Sequence, residues 1–369
     1  MEELTKPDKH RLLAALRGKK ADRVPNLEFV LMRRNTAAII GEQCLAGVEE
    51  RYRRLDTLWP ARSDSEAADR SALAAYSCYL PPAEYGLLLE KTGQDAVCCT
   101  LSWKPKSRKP LSAGTLARDQ EGIIRDRAEL DMLPPPPVQA EMLAALDGYV
   151  EYFRKSNVGV GILVRSVLCN TYETLGMENF MLKMYDDPGL IEILFDRYYE
   201  YSAAITRAAA AREVDFLAID DDICDNSGFL VKPDFIKAEW FERTRAIIEP
   251  FVSRGKPVIY HCCGNVERVI PMAIELGISA IHPLQPTCND IYNYRRRFGT
   301  AICLMGNMDL AGVMTRGTPQ EVQEDTWQHL AELSGGGGYI VASSHSITDD
   351  VPPANYRAMI ETAWHFGRN

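Results

Sequence analysis

His261 and Cys263, with one residue between them, are the pair in this chain best suited to hold a metal ion. They follow a short apolar run at 258–260, and at the end of an extended strand, residues two apart project to the same side. An imidazole nitrogen and a thiolate sulfur are both zinc donors. His345, just beyond a later apolar run at 339–343, is the best-placed third ligand. Three protein ligands with a fourth position left for water or substrate make a catalytic rather than a structural site. The competing reading is a hydrogen-bonded core histidine followed by small buried thiols. That reading suits Cys262, which should point away from its neighbours.

Other polar residues gather at the ends of apolar runs. Asp220, Asp221 and Asp222 are consecutive, and their mutual repulsion has to be relieved by a cation, a proton or a partner. Asp221, Asp222 and, further on, Asp309 are the candidates for moving a substrate proton. Glu28, Asn307 and His282 are candidates for holding substrate, although His282 precedes Pro283 and also fits a residue that closes a turn. Of six histidines, three fall at such run ends, a concentration that marks one side of the fold. His10, His329 and His365 lie on helical stretches and read as surface or packing residues.

The elements that must carry these residues alternate. From residue 139 onward the pattern predicts helix 139–155, strand 158–165, helix 187–212, strand 214–220, helix 233–254 and strand 257–261. It continues with helix 266–276, strand 278–282, helix 289–298, strand 300–305, helix 318–333, strand 339–343 and helix 353–367. Earlier apolar runs at 27–32 and 96–100 raise the count to about eight strands, with a short helix at 8–19 as an N-terminal extension. Such alternation implies a parallel sheet covered by helices, and this count favours a single (β/α)8 TIM-type barrel over residues 1–369. Residues 103–137, rich in basic residues and ending in four prolines, read as an early insertion that leaves the barrel. No Gly-x-Gly-x-x-Gly turn follows the first strand, and the Gly335–338 run lacks the Lys-Ser/Thr of a P-loop. In a barrel of this kind the active site is built on the loops after the strands.

Composition narrows the partners. A formal net charge of −9 with no Lys/Arg-rich block argues against nucleic acid. No run approaches the roughly 18 apolar residues of a membrane span, and the acidic N-terminus is unlike a signal peptide. Ten irregularly placed cysteines, several in core strands, suit a reducing cytoplasm better than a disulfide framework.

Several segments together resemble the uroporphyrinogen decarboxylase superfamily, and within it the zinc- and corrinoid-dependent methyltransferase branch. They are Asp22-Arg23-Val24-Pro25, Asp221-Asp222 with Ser227-Gly228 and Lys232-Pro233-Asp234-Phe235, and His261-Cys262-Cys263-Gly264-Asn265. Gly306-Asn307-Met308-Asp309 and the closing stretch from Gly337 to Asn355 complete the match, which spans nearly the whole chain. The resemblance implies a (β/α)8 barrel. It also implies zinc held by His-x-Cys and a later cysteine, at whose place His345 stands here. The decarboxylases carry an arginine pair in an early segment; Met32-Arg33-Arg34-Asn35-Thr36-Ala37 keeps the first arginine and has Ala37 for the second. The function implied is a zinc-dependent transfer of a methyl group between a small methylated compound, or a thiol, and a corrinoid protein. No Asp-x-His-x-x-Gly segment is present to bind cobalamin, so the corrinoid belongs to a partner. The alternatives are a metal-free decarboxylase of a uroporphyrinogen-like or smaller acid, and a barrel that binds a ligand without turnover.

Overall fold

The computed structural model describes residues 6–46, 48, 77–103, 122–133, 136 and 139–367. Its strands are β1 (Ala96–Thr100), β2 (Gly159–Arg165), β3 (Phe216–Asp220), β4 (Cys224–Asp225), β5 (Gly228–Phe229), β6 (Val258–His261), β7 (Ala280–His282), β8 (Cys303–Met305) and β9 (Tyr339–Ile340). Seven of them form one parallel sheet in the order β1-β2-β3-β6-β7-β8-β9, while β4 and β5 make a small antiparallel hairpin. Helices follow the strands, as the alternation predicts. Asp187 caps Pro188–Ala210 by accepting the Leu190 N–H, and Thr318 with Glu321 forms a capping box on Pro319–Leu333. The result is an α/β fold with a TIM-barrel-like parallel sheet.

Strand alternation separates two apolar layers. Ala96, Cys98, Leu163, Phe216, Ala218, Ile259, Ala280, Cys303, Met305 and Ile340 form an inner cluster. Their neighbours Val97, Val164, Leu217, Tyr260, Ile281 and Leu304 join the outer cluster beneath the helices. Gly161 belongs to the inner row because the Phe216 ring occupies the space a Cβ would need, 2.1 Å from its position. Leu12, Ala15 and Leu16 of the N-terminal helix Lys9–Leu16 also enter the inner cluster. This helix therefore covers the end of the sheet where the strands begin.

The 27–32 run does not form the regular strand its pattern suggests. It makes isolated parallel bridges, Asn26 to Val341 and Leu31 to Ile347. Two of its donors are diverted to side chains, the Glu28 N–H to Gln94 Oε1 and the Leu31 N–H to Ser77 Oγ, each at 2.9 Å, while Leu27 and Met32 donate to the Val341 and Ile347 carbonyls. The strand at 339–343 is likewise shorter than expected, two residues followed by single bridges. Most of the 103–137 segment lies outside the described residues, as does most of 37–79. The described part, 122–133, returns to the body, where the Ile123 and Ile124 N–H groups bond the Thr174 carbonyl.

Two buried polar groups fasten the N-terminal segment. Asp95 accepts from Arg11 Nη1 at 2.6 Å and from the Asp8 N–H at 2.9 Å, with Arg23 Nη2 at 3.4 Å. Arg23 also donates to the Gly93 carbonyl at 2.7 Å. The Asp22-Arg23-Val24-Pro25 stretch is thus clasped to the turn before β1. Glu28, a candidate for holding substrate, is instead buried on the helix side of its segment. Its carboxyl accepts the Ser343 N–H at 2.6 Å and faces Ser343 Oγ at 2.9 Å. Burial lifts this carboxyl to about 8, against the pull of the Ser343 donors.

Asp95→Asn should lower stability by about 3–5 kcal/mol, because it leaves the buried Arg23 guanidinium without its counter-charge, while Arg11 keeps Asp22 at 2.7 Å. A urea titration that finds a loss under about 1 kcal/mol would show that the clasp carries no such weight. Glu28 gives a pH signature. The native carboxyl keeps a proton, up to about 8, that the unfolded chain releases near its ordinary value of 4.5, so stability falls as pH rises through that window. Glu28→Gln should remove this slope and gain on the wild type by an amount on the order of a few kcal/mol near pH 8. Parallel unfolding curves at pH 5 and pH 8 check the sign.

Candidate metal and active site at the strand tips

The inner rows of β2, β3, β6 and β7 turn polar at their last positions. Arg165 pairs in register with Asp220, Asp220 with His261, and His261 with His282, so these four side chains stand in one belt. Arg165 Nε donates to Asp220 Oδ2 at 3.1 Å, and its two Nη atoms bond Glu173 at 2.5 and 2.9 Å. His261 Nδ1 lies 2.7 Å from His282 Nδ1. The other histidine nitrogen, Nε2, faces Cys263 Sγ at 3.7 Å and Asp222 Oδ1 at 3.9 Å.

His345 reaches this point from beyond β9, its ring centroid 5.8 Å from that of His261. A nitrogen of His261, the sulfur of Cys263 and a nitrogen of His345 all lie within 4.8 Å of one another. All three residues are only partly buried, so the cluster is open on one side. Asp220, Asp222 and His261 form a second such group that shares the same histidine. Zn–N near 2.0–2.1 Å and Zn–S near 2.3 Å at a tetrahedral angle would set N and S about 3.5 Å apart. The 3.7 Å between His261 and Cys263 fits that spacing, and two nitrogens with one thiolate are a zinc-type donor set.

The loop that delivers Cys263 is held from three sides. Asp222 Oδ1 accepts the Cys263 N–H at 2.7 Å, Gln285 Oε1 accepts the Gly264 N–H at 2.6 Å, and the Asp225 carbonyl accepts the Asn265 N–H at 2.7 Å. Gly264 has φ +86°, and a Cβ there would stand 2.5 Å from the Asp225 carbonyl oxygen. The His-Cys-Cys-Gly sequence thus ends where the β4–β5 hairpin presses on the loop. Cys262 lies in the outer apolar cluster, fully buried, where desolvation pushes its thiol well up.

The remaining candidates are distributed as follows. Asp222 stands beside the cluster. Asp221 does not: its carboxylate accepts N–H groups from Val167, Leu168 and Cys169 at the start of helix Leu168–Leu175, and Trp240 Nε1 at 3.0 Å. Burial lifts it to about 7, against the pull of the Cys169 and Leu168 donors. His282 is 2% exposed, and burial, with His261 and His345 nearby, holds its imidazole well below the usual histidine range. Asn307 is buried, donating to the Leu284 carbonyl at 2.6 Å and bonded through Oδ1 to His329 Nε2 at 2.9 Å. Asp309 caps the turn Leu310–Met314 by accepting the Ala311 N–H. With Asn307, Tyr292, Asp325 and His329 it lines a separate cavity of about 650 Å³.

Sequence reasoning passed over two groups. His329 reads as a packing residue on its helix, yet it holds the Asn307 amide; only the fold connects them. Arg165 carried a usable signal, since it ends its strand in the inward phase of Gly161 and Leu163.

Comparison with known proteins agrees with this fold. Residues 157–366 match the family model described as uroporphyrinogen decarboxylase (URO-D). Proteins named uroporphyrinogen decarboxylase from Pseudomonas savastanoi pv. phaseolicola and Pseudomonas putida are each 24% identical over 71% of this chain and 81% of their own length. Among solved structures, a methyltransferase from Methanosarcina mazei shares the fold over 96% of this chain and 97% of its own, with TM-score 0.62 and 18% identity. The matched region runs from β2 to the last helix and contains every residue of the polar belt, and the chain belongs to the uroporphyrinogen decarboxylase (URO-D) family.

Proposed function

We propose that this chain is a zinc-dependent methyltransferase that moves a methyl group between a small methylated compound, or a thiol, and a corrinoid carried by a separate protein. The observation that carries the reading is the convergence of His261, Cys263 and His345 within 4.8 Å at an open mouth. The reading takes segment 25–31 as the eighth member of a closed barrel, which places His345 across the mouth from β6. It takes zinc as the ion, with these three residues as its ligands and the open side left for substrate.

Bound there, zinc would supply a positive charge that polarises the substrate heteroatom and stabilises the charge developing on it during transfer. The rest falls to the chain's own groups. Asp222, fixed by the Cys263 N–H at 2.7 Å, takes the proton of a thiol or hydroxyl that enters beside it. Asp221 holds helix Leu168–Leu175 and its loop in place rather than meeting substrate. Phe29, edge-on to His282 at 5.0 Å, and the inner apolar rows beneath exclude water from below.

Charge favours this reading over decarboxylation of a polycarboxylate. The belt carries Asp220 and Asp222, and its cation Arg165 is already engaged by Glu173 and Asp220. Arg33 is paired with Glu42 at 2.6 Å, and Arg34 donates to the Asp349 carbonyl at 3.0 Å. Among the described residues, a small neutral or cationic methyl donor meets no electrostatic opposition here.

After zinc repletion the protein should hold about one zinc per chain by elemental analysis and transfer methyl groups to reduced cobalamin, followed by its visible spectrum. His261→Ala and Cys263→Ser should each weaken zinc by more than roughly 100-fold and abolish transfer, while Cys262→Ser keeps both. His345→Ala should weaken zinc to a comparable degree. No zinc retention under excess metal, together with CO2 release from a porphyrinogen, would overturn the reading in favour of a decarboxylase. Asp222→Asn preserves the oxygen that accepts the Cys263 N–H, so it should cost about 10²–10⁴ in turnover with the thermal midpoint nearly unchanged. A collapse in stability at intact specific activity would make Asp222 a structural residue.

A further inference from the structure

His282 reaches the cluster only through another side chain. It follows Ala280 on the inner face of β7, and parallel pairing sets it beside His261. The two Nδ1 atoms are 2.7 Å apart, with ring centroids at 4.9 Å and planes inclined by 42°. At that separation one proton must lie between the nitrogens, since two facing lone pairs would repel. His282 is 2% exposed, with Phe29 packed on one side in a T-shaped contact, and its Nε2 has no hydrogen-bonding partner among the described residues. Among the described residues, the buried ring therefore makes its one side-chain hydrogen bond to His261.

That bond fixes what the far side of His261 can do. A histidine that offers the Nε2 lone pair to a metal must carry its own proton on Nδ1. The Nδ1–H of His261 then donates to Nδ1 of His282, which accepts and keeps its own proton on Nε2. Ligating histidines commonly hand this second N–H to a carboxylate or a carbonyl. Here the acceptor is a neutral ring, at a site where Asp220 and Asp222 already stand beside His261. A third carboxylate would cancel more of the charge that a divalent ion brings; a neutral acceptor orients the ligand without doing so.

We propose that His282 is a positioning residue: it fixes the ring plane and the Nδ1–H tautomer of His261, so that Nε2 faces Cys263 and His345, and it makes no contact with substrate itself. The proposal rests on the metal-site reading above and adds to it the source of the site's orientation.

The test uses three substitutions in the full-length protein, with zinc affinity measured by chelator competition and the visible spectrum of the cobalt(II)-substituted protein. His282→Asn keeps a polar atom near the place of Nδ1, His282→Gln keeps one near the place of Nε2, and His282→Phe keeps neither. The Asn variant should retain wild-type affinity and ligand-field bands. The Gln and Phe variants should bind zinc about 10–100-fold more weakly, with altered ligand-field bands but a surviving sulfur-to-cobalt charge-transfer band from Cys263. Circular dichroism controls for folding, and if His282→Phe does not fold, the Asn and Gln pair decides. Wild-type affinity and spectra in all variants would overturn the positioning role while leaving the metal site intact. Rescue by Gln and not by Asn would overturn it in favour of a substrate contact through Nε2. A wild-type protein that takes up neither zinc nor cobalt would remove the metal reading, and this proposal with it.

Discussion

Ladder pairing between β3, β6 and β7 decides which side chains can meet. His261 is the register partner of both Asp220 and His282, and all three lie on the inner face because the apolar residues two positions before them do. A slip of one residue in β6 would turn His261 into the outer layer and bring Tyr260 inside. That alternative is resisted on both faces. Tyr260 donates to the Asp221 carbonyl at 2.7 Å and packs on Trp240 at 5.5 Å in the outer layer, while Ile259 fills the inner one. The position of the metal-type ligands is therefore a property of the whole sheet and its packing.

Once the backbone has placed them, the charged groups divide into two kinds. Arg165, with Glu173 and Asp220, and Asp95, with Arg11 and Arg23, are buried ion networks. Removing one partner from such a network is costly because a charge is left behind in low dielectric. Asp222 with the His261, Cys263 and His345 group is of the other kind, a gathering of donors at a surface opening. Both kinds are rich in acids, and neighbouring residues can differ completely in role. Asp221 and Asp222 are adjacent, yet one is consumed by four N–H donors and the other stands beside His261.

Much of this was legible in the chain. The alternating pattern located the long helices, and the structure shows two of them held by local caps, Asp187-Pro188 and Thr318-Pro319. The His-x-Cys spacing was legible for a similar reason, because two residues on one strand share a face wherever the strand goes. What escaped depends on distant partners. The 27–32 run has a strand's composition, but Gln94 and Ser77, far along the chain, take two of its N–H groups. Glu28 and Asn307 are the right residue types at strand-tip positions, and only the packed structure reveals that Ser343 and His329 occupy them. The helices Leu168–Leu175 and Met177–Asp186 interrupt the simple alternation and fill the stretch between strand 158–165 and helix 187–212 that it left unassigned, although both are amphipathic.

The helix Lys9–Leu16 seals the end of the sheet where the strands begin, with Leu12, Ala15 and Leu16 seated among the inner side chains. The metal-type ligands stand at the opposite end, where the strands finish. If the chemistry is methyl exchange, the small donor and the bulky carrier protein must use the same doorway, and neither can wait behind the other. Such a layout favours turn-taking: one guest leaves its methyl group or withdraws before the next is seated. The order of events would then follow from the plug at the far end as much as from any residue at the mouth.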